Sequence, residues 1–469
     1  MALRSLLKIL APLSLLLLSG CAGLSQPAAR ELLVSAVPER WQEMSGSVDK
    51  PPQRWLQQLK DPVLERLVGE ALAANPQLQR IRALLAEGEA QATVAGAEQR
   101  PTLNVSAQAG RSERGSQSSN DLSLGLSFGW ELDLWDKLSE SAKAAEIDRQ
   151  ALLQDYQSAR LSLAANVTKS WFGAIESMLQ LRLSQRLIEV LGARLEVLEE
   201  GYRSGLVAAL DVHLARANLA AEISRVATRE QTLGRSVRAF ELLLGRYPAN
   251  RQQIAAQLPA LPDPIPTGLP SELLTRRFDI RAAQLRVESS WARLSRSHKD
   301  RFPSFNLTAS LGSSSDQLDK LLRGDSLVWS LLGGVAQPLL EGGRLEALEA
   351  SSLAQAQQRE ASYRDTVLRA FSEVEEALQQ EQQLLRFVTA LEVSVTESDL
   401  AEVLAAEQYR SGLVEYITLL EAQRRAFDAR STFIQGRNQQ LQNRIDLYLA
   451  LGGDFLSDQD ATFTTRSIK

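Results

Sequence analysis

The sequence predicts a mainly α chain with membrane-type β strands, internally duplicated, in which each copy carries a short β-hairpin and a long antiparallel helical hairpin. Three observations carry this. Tyr202-Arg203-Ser204-Gly205-Leu206-Val207 returns as Tyr409-Arg410-Ser411-Gly412-Leu413-Val414, an offset of 207 residues that still holds between Gly245 and Gly452. No proline interrupts the chain between Pro101 and Pro248 or after Pro338, and apolar residues there step by three or four. Between them, Leu122, Leu124, Leu126, Phe128, Trp130, Leu132 and Leu134 occupy every second position, interleaved with polar residues and glycine.

The first 20 residues read as a signal peptide: Arg4 and Lys8, a short apolar run through Leu18, then Ser19-Gly20-Cys21. That run is too short for an ordinary membrane span. Leu18-Ser19-Gly20-Cys21 resembles a bacterial lipobox, which implies cleavage before Cys21 and lipidation of its sulfur. Ala22 in second place implies outer-membrane sorting. Residues 21–61 read as a lipidated tether with a short helix near Arg54–Leu59.

The first copy spans 62–245. A helical pattern from Pro62 to Gln99 runs through Leu64, Leu67, Val68, Ala71 and Leu72. A β-hairpin follows at 101–135, with Leu103, Val105 and Ala107 alternating, a polar loop at Arg111–Asn120, and the strand described above. Its alternation fits lipid on one side and a lumen on the other. The helical hairpin covers 137–245. Leu152, Tyr156, Ala159, Leu163, Val167, Trp171, Ile175 and Met178 mark the buried stripe of its first helix. Roughly 65 residues at ~1.5 Å each make a rod near 100 Å long. Gly205 suits the left-handed turn that ends it. The helix returns from about Ala208 to Leu244, and a proline-rich linker at 246–270 joins the copies.

The second copy, 271–452, repeats the plan: a helix from Ser271, a β-hairpin at 303–340, and a helical hairpin at 343–452. Arg100-Pro101-Thr102-Leu103-Asn104-Val105 returns as Phe302-Pro303-Ser304-Phe305-Asn306-Leu307 at an offset of 202, so about five extra residues lie in the second β-hairpin. The tail, 453–469, is polar and read as flexible.

Composition excludes several classes. With 52 basic against 57 acidic residues, the chain lacks the basic excess of a nucleic-acid binder. Two histidines and one cysteine leave little material for a metal or thiol site, and neither a phosphate-binding glycine loop nor a serine-nucleophile elbow is present. No catalytic residue and no cofactor are expected. Four strands cannot close a barrel, and open edges in lipid leave backbone groups unpaired at several kcal/mol each, so the chain must oligomerise through its strands.

Three segments carry a family resemblance: Leu269-Pro270-Ser271-Glu272-Leu273-Leu274-Thr275-Arg276-Arg277-Phe278-Asp279-Ile280-Arg281-Ala282-Ala283, Glu131-Leu132-Asp133-Leu134-Trp135-Asp136-Lys137, and Pro338-Leu339-Leu340-Glu341-Gly342-Gly343-Arg344. With the doubled Tyr-Arg-Ser-Gly-Leu turn, they resemble the TolC-type outer-membrane efflux channels, most closely the lipoprotein branch serving resistance-nodulation-division pumps. Phe278 stands where that family usually has proline, and Glu341 and Asp136 replace commoner residues.

The resemblance implies a homotrimer with a twelve-stranded barrel in outer-membrane lipid and a twelve-helix tunnel in the periplasm. It implies a passive exit duct for drugs or other small molecules, with a periplasmic adaptor and an inner-membrane pump as partners. It further implies a periplasmic gate at Asp211, Ile417, Thr418, Glu421 and Arg424, whose crowded acids would favour cations and titrate high. Asp211 could instead merely favour its helix N-terminus, and Glu421 could pair with Arg424 or Arg425. Adaptor docking falls to Arg203, Gly205, Leu206, Arg410, Gly412 and Leu413. The alternative is a duct for type I protein secretion; the lipobox and the Leu-Pro-Ser-Glu-Leu-Leu run weigh against it. A periplasmic adaptor would lack paired membrane strands. Metal export has no support from a chain with only Met1, Met44 and Met178.

Overall fold

A computed structural model describes residues 54–453 except 116, 269, 322, 324 and 325, together with residue 38 and residues 40–42. The signal segment, Cys21, most of the tether and all but the first residue of the tail lie outside the described residues. The chain divides into two compact units, one built from residues 87–151 and 283–364 and the other from the remaining described residues.

The first unit holds the sheet. Strands β1 (Thr102–Arg114), β2 (Gln117–Leu132), β3 (Ser304–Ser315) and β4 (Leu327–Ala336) pair antiparallel in that order. Directly opposed residues share a face, so the register fixes both faces. Leu103 lies opposite Phe128 and Val105 opposite Leu126, while Leu126 faces Leu311 and Leu311 faces Trp329. These apolar residues form one continuous surface. The other face carries Asn104 opposite Ser127, Ser127 opposite Ser310, and Ser310 opposite Ser330. Every residue of the edge strands β1 and β4 is exposed.

Two details differ from the sequence reading. Most of the polar stretch read as a loop is strand: 111–114 belong to β1 and 117–120 to β2, because ladder bonds do not depend on side-chain polarity. The alternation ends at Leu132, not Leu134, because Asp133 turns back to cap the next helix. Its carboxylate accepts from the Leu138 and Ser139 backbone N–H groups at 3.0 and 2.7 Å. Just beyond, Trp135 donates to the Pro303 carbonyl at 2.8 Å and packs against Phe302 at 5.5 Å.

In the second unit, α1 (Trp55–Gln58) and α2 (Pro62–Ala74) pack on the long helices. Asp61 caps α2 through the Val63 and Leu64 N–H groups, both at 3.0 Å, and its other oxygen accepts from the Trp171 indole at 3.0 Å. Trp55 stacks on Tyr448 at 5.7 Å, and buried Trp41 donates to the Gly268 carbonyl at 3.2 Å. The described part of 21–61 is therefore packed rather than a free tether, because its tryptophans have large apolar surface to bury.

The helical run from Pro62 to Gln99 is two helices. Asn75 precedes Pro76, whose ring disfavours helical backbone at the residue before it, and Asn75 sits at ψ 122°. The second, α3, spans Pro76–Ala97. The other copy breaks at the equivalent residue, Arg277, between α6 (Pro270–Arg276) and α7 (Phe278–Lys299). Phe278 replaces the proline there, yet the break persists: Arg277 is held by Asp279 at 2.6 Å and by Glu373 at 2.6 Å.

The long helices are α4 (Lys137–Arg203), α5 (Ala209–Leu243), α8 (Arg344–Arg410) and α9 (Tyr416–Ala450). Both members of the first kind have 67 residues and both of the second have 35, each pair offset by 207. Residues 246–268 of the linker between the copies have no regular structure but are tied down. Glu241 accepts the Asn250, Arg251 and Gln252 N–H groups, which overcome its burial and hold its carboxyl below the usual range. Arg444, buried beside Glu381, donates to the Pro262 carbonyl at 2.6 Å.

Candidate functional site

Two chain reversals define the candidate site, and they are built alike. In the first, Leu206 N–H donates to the Gly201 carbonyl at 2.8 Å and Gly205 N–H to the Tyr202 carbonyl at 3.0 Å. In the second, Leu413 N–H reaches Gln408 at 2.9 Å and Gly412 N–H reaches Tyr409 at 3.0 Å. This is the Schellman closure, which requires a left-handed residue at its glycine. Gly205 and Gly412 have φ of 73° and 74°, and an added Cβ would meet nothing within 4 Å at either. The space beside both glycines is open.

The leucines after the glycines project outward, Leu206 being 84% and Leu413 74% exposed. Beneath them the four helices share one core: Leu198 from α4, Val212 and Ala215 from α5, Ala405 from α8, and Tyr416 and Leu419 from α9. The arginines differ. Arg203 is drawn to Glu200 at 3.0 Å and Glu199 at 3.9 Å, whereas Arg410 donates to its own helix at Ala406, 3.2 Å away.

The gate candidates divide into two sets. Ile417, Thr418, Glu421 and Arg424 are all exposed on one side of α9, at helical spacing. Glu421 pairs with Arg424 at 2.9 Å, and Arg424 also reaches Asp428 at 4.0 Å. The hydrogen bond from Arg424 holds the Glu421 carboxyl below its usual range, so within one chain it titrates low. The high titration expected of crowded acids is not produced by a single chain, because its nearest charge is a cation. Asp211 is half-buried, and its charge acts inward on Tyr409 and Tyr416.

That tyrosine pair is the feature the sequence did not announce. Tyr409 and Tyr416 lie 5.5 Å apart at 55°, and burial raises both phenols, with Asp211 adding to the effect. Arg194 from α4 faces Tyr416 and pairs loosely with Glu402 of α8 at 3.8 Å. Arg430 of α9 reaches Asp399 at 2.9 Å and Glu402 at 3.5 Å. The one available signal was asymmetry between the copies, since Tyr416 stands where the first copy has Ala209.

The chain matches the outer membrane efflux protein family twice, over residues 67–246 and 269–453. The pyoverdine export outer membrane protein OpmQ of Pseudomonas putida is 30% identical over 470 residues, covering 96% of this chain and 97% of that protein. The probable outer membrane lipoprotein SilC of Salmonella typhimurium is 26% identical over 467 residues, covering 96% and 99%. The open state of the MtrE outer membrane channel of Neisseria gonorrhoeae superposes with a TM-score of 0.78 at 25% identity, covering 93% of this chain and 99% of that one.

Proposed function

The chain belongs to the outer membrane efflux protein family and is an outer-membrane efflux channel, and we propose that three copies form the exit duct of a tripartite pump. The observation that carries the assembly is the sheet: four strands, one continuous apolar face and two unpaired edges. Three such sheets joined edge to edge give twelve strands, with leucines toward lipid and serine, asparagine and glycine toward a lumen. The joining removes all six edges, which no monomeric arrangement can do.

Passage through this duct is passive. The exposed α9 stripe of Ile417, Thr418, Glu421 and Arg424 lines its periplasmic mouth, and Asp211 supports that mouth from within the helical hairpin. The two Schellman turns with Leu206 and Leu413 receive a periplasmic adaptor, and an inner-membrane pump of the resistance-nodulation-division class supplies the driving force. Cys21 carries the lipid anchor, which adds to the hold of the barrel itself. Residues 62–245 and 271–452 act as two quasi-equivalent halves of each subunit.

Export of small molecules is tested by deleting the gene and measuring growth inhibition by antibiotics, organic solvents and metal ions. The expected result is sensitisation to at least one class, reversed by the intact gene. A deletion strain that keeps full resistance to all three but no longer secretes an exported protein would favour the protein-secretion duct.

A further inference from the structure

We propose that the foot of β4, with Leu339 and Leu340 after it, docks on β1 of a second copy in one register, in which paired residue numbers add to 442. The inference rests on the trimeric reading and specifies its seam. Within the chain, β1–β2 pairs add to 231, as in Thr102 with Gly129, and β3–β4 pairs add to 640, as in Ser304 with Ala336. Since β1 maps onto β3 with an offset of 202, β2 maps onto β4 with an offset of 207, the offset of the helical turns. All five extra residues of the second copy therefore lie in the β3–β4 loop.

The β2–β3 seam, where the first copy meets the second, adds to 437, as in Leu132 with Phe305. The seam between chains is the converse, second copy meeting first. Raising 437 by 207 on the β4 side and lowering it by 202 on the β1 side gives 442. Leu339 then lies opposite Leu103, Val335 opposite Ala107, and Trp329 opposite Glu113. Every pair keeps its face, so apolar side chains meet across the seam at Leu339–Leu103 and Val335–Ala107, whereas Val105 meets Gln337, and Arg111 and Glu113 meet Leu331 and Trp329.

A second observation points to the same partner. β1 stops pairing with β2 at Gly129, and only β3 holds Trp130, Glu131 and Leu132 in the ladder. Their equivalents are Gln337, Pro338 and Leu339, and β4 stops at Ala336, the equivalent of Gly129. The strand falls short by the three residues that a neighbouring β1 would pair. Leu339 and Leu340, 90% and 93% exposed, are the two most exposed large apolar side chains among the described residues, and Leu103 and Val105 on the complementary edge are 69% and 73% exposed. Lipid alone would cover Leu339 but would leave the Gln337 and Leu339 N–H groups without a ladder partner; Pro338 has no N–H, and its carbonyl already accepts from the Gln337 side chain at 3.0 Å.

Cysteine cross-linking in the full-length channel tests the register. Opposed residues on antiparallel strands have Cα atoms about 4.5–5.5 Å apart, within disulfide reach, whereas a diagonal neighbour two residues away lies at about 7–8 Å. Leu339→Cys with Leu103→Cys should give a covalent trimer on oxidation. Leu339→Cys with Val105→Cys should stay largely uncross-linked. Val335→Cys with Ala107→Cys repeats the test if changes at Leu339 impair assembly. Preferential cross-linking of the two-off pair, or no cross-link in either in-register pair while native mass still shows a trimer, overturns the register alone. The absence of any oligomer in the unmodified chain overturns the trimeric reading and the register with it.

Discussion

Replacing Gly412 by leucine should abolish efflux while leaving the amount of assembled channel in the outer membrane unchanged. Gly412 sits at φ 74° with open space where a Cβ would go, so the substitution meets no clash within its own chain. It carries a backbone cost of about 1–2 kcal/mol for a left-handed L residue, small against the core that the four helices share below the turn. The bulk added there obstructs whatever approaches from outside. Gly412→Asn separates the two effects, because asparagine tolerates the left-handed region and projects less apolar volume. Efflux should survive largely in Gly412→Asn and fall to the deletion level in Gly412→Leu, read as inhibitory concentration with membrane trimer quantified in parallel. The same pair at Gly205 should show a milder difference, because the flank there is Ala208-Ala209 rather than Glu415-Tyr416. Equal loss in Asn and Leu variants would make the turn a helix terminator and nothing more.

Replacing Asp211 and Glu421 together by alanine should raise single-channel conductance in planar bilayers and reduce cation preference. The structure sharpens the direction. Removing Glu421, which pairs with Arg424 at 2.9 Å, leaves that arginine only its 4.0 Å contact with Asp428, and the exposed stripe then carries Arg424 and Arg425 against Asp428 alone. With three copies around one mouth the reversal potential should move toward anions, not merely toward zero. Glu421→Ala alone should produce most of the selectivity change. Asp211→Ala, which removes a charge facing Tyr409 and Tyr416, should act chiefly on conductance by loosening the hairpin. Because Arg424 holds the Glu421 carboxyl below its usual range, the charge persists as pH falls through ordinary carboxylate values and is lost only below them. Unchanged selectivity in the double variant would leave both acids with local roles only.

The duplication was legible because it is covalent: an offset of 207 at the turns and 202 at the strands reappears in the sheet register and in helices of identical length. The strands were legible because lipid on one side and a lumen on the other impose strict alternation. What escaped was set by local backbone chemistry or by distant partners. Asn75 breaks its helix through the proline after it, but Arg277 breaks the equivalent helix with no proline, held by Asp279 two residues on and by Glu373, which the sequence does not show as a neighbour. The strand character of 111–114 and 117–120 was hidden because paired backbone near a hairpin tip needs no apolar residues. Trp41 and Trp55 lie in a polar, proline-bearing stretch, and their burial depends on Gly268 and Tyr448, more than two hundred residues away. At the turns, the glycines and leucines were readable, whereas the Tyr409–Tyr416 pair required three-dimensional proximity.

The central claim is that each chain supplies one third of a membrane barrel. Native mass measurement of the channel extracted from outer membranes in mild detergent tests it most directly. A single species at three times the mature chain mass, each chain bearing an acylated Cys21, is the predicted result. A stable monomer or dimer under the same conditions, still inserted in the membrane and still conducting, would contradict it.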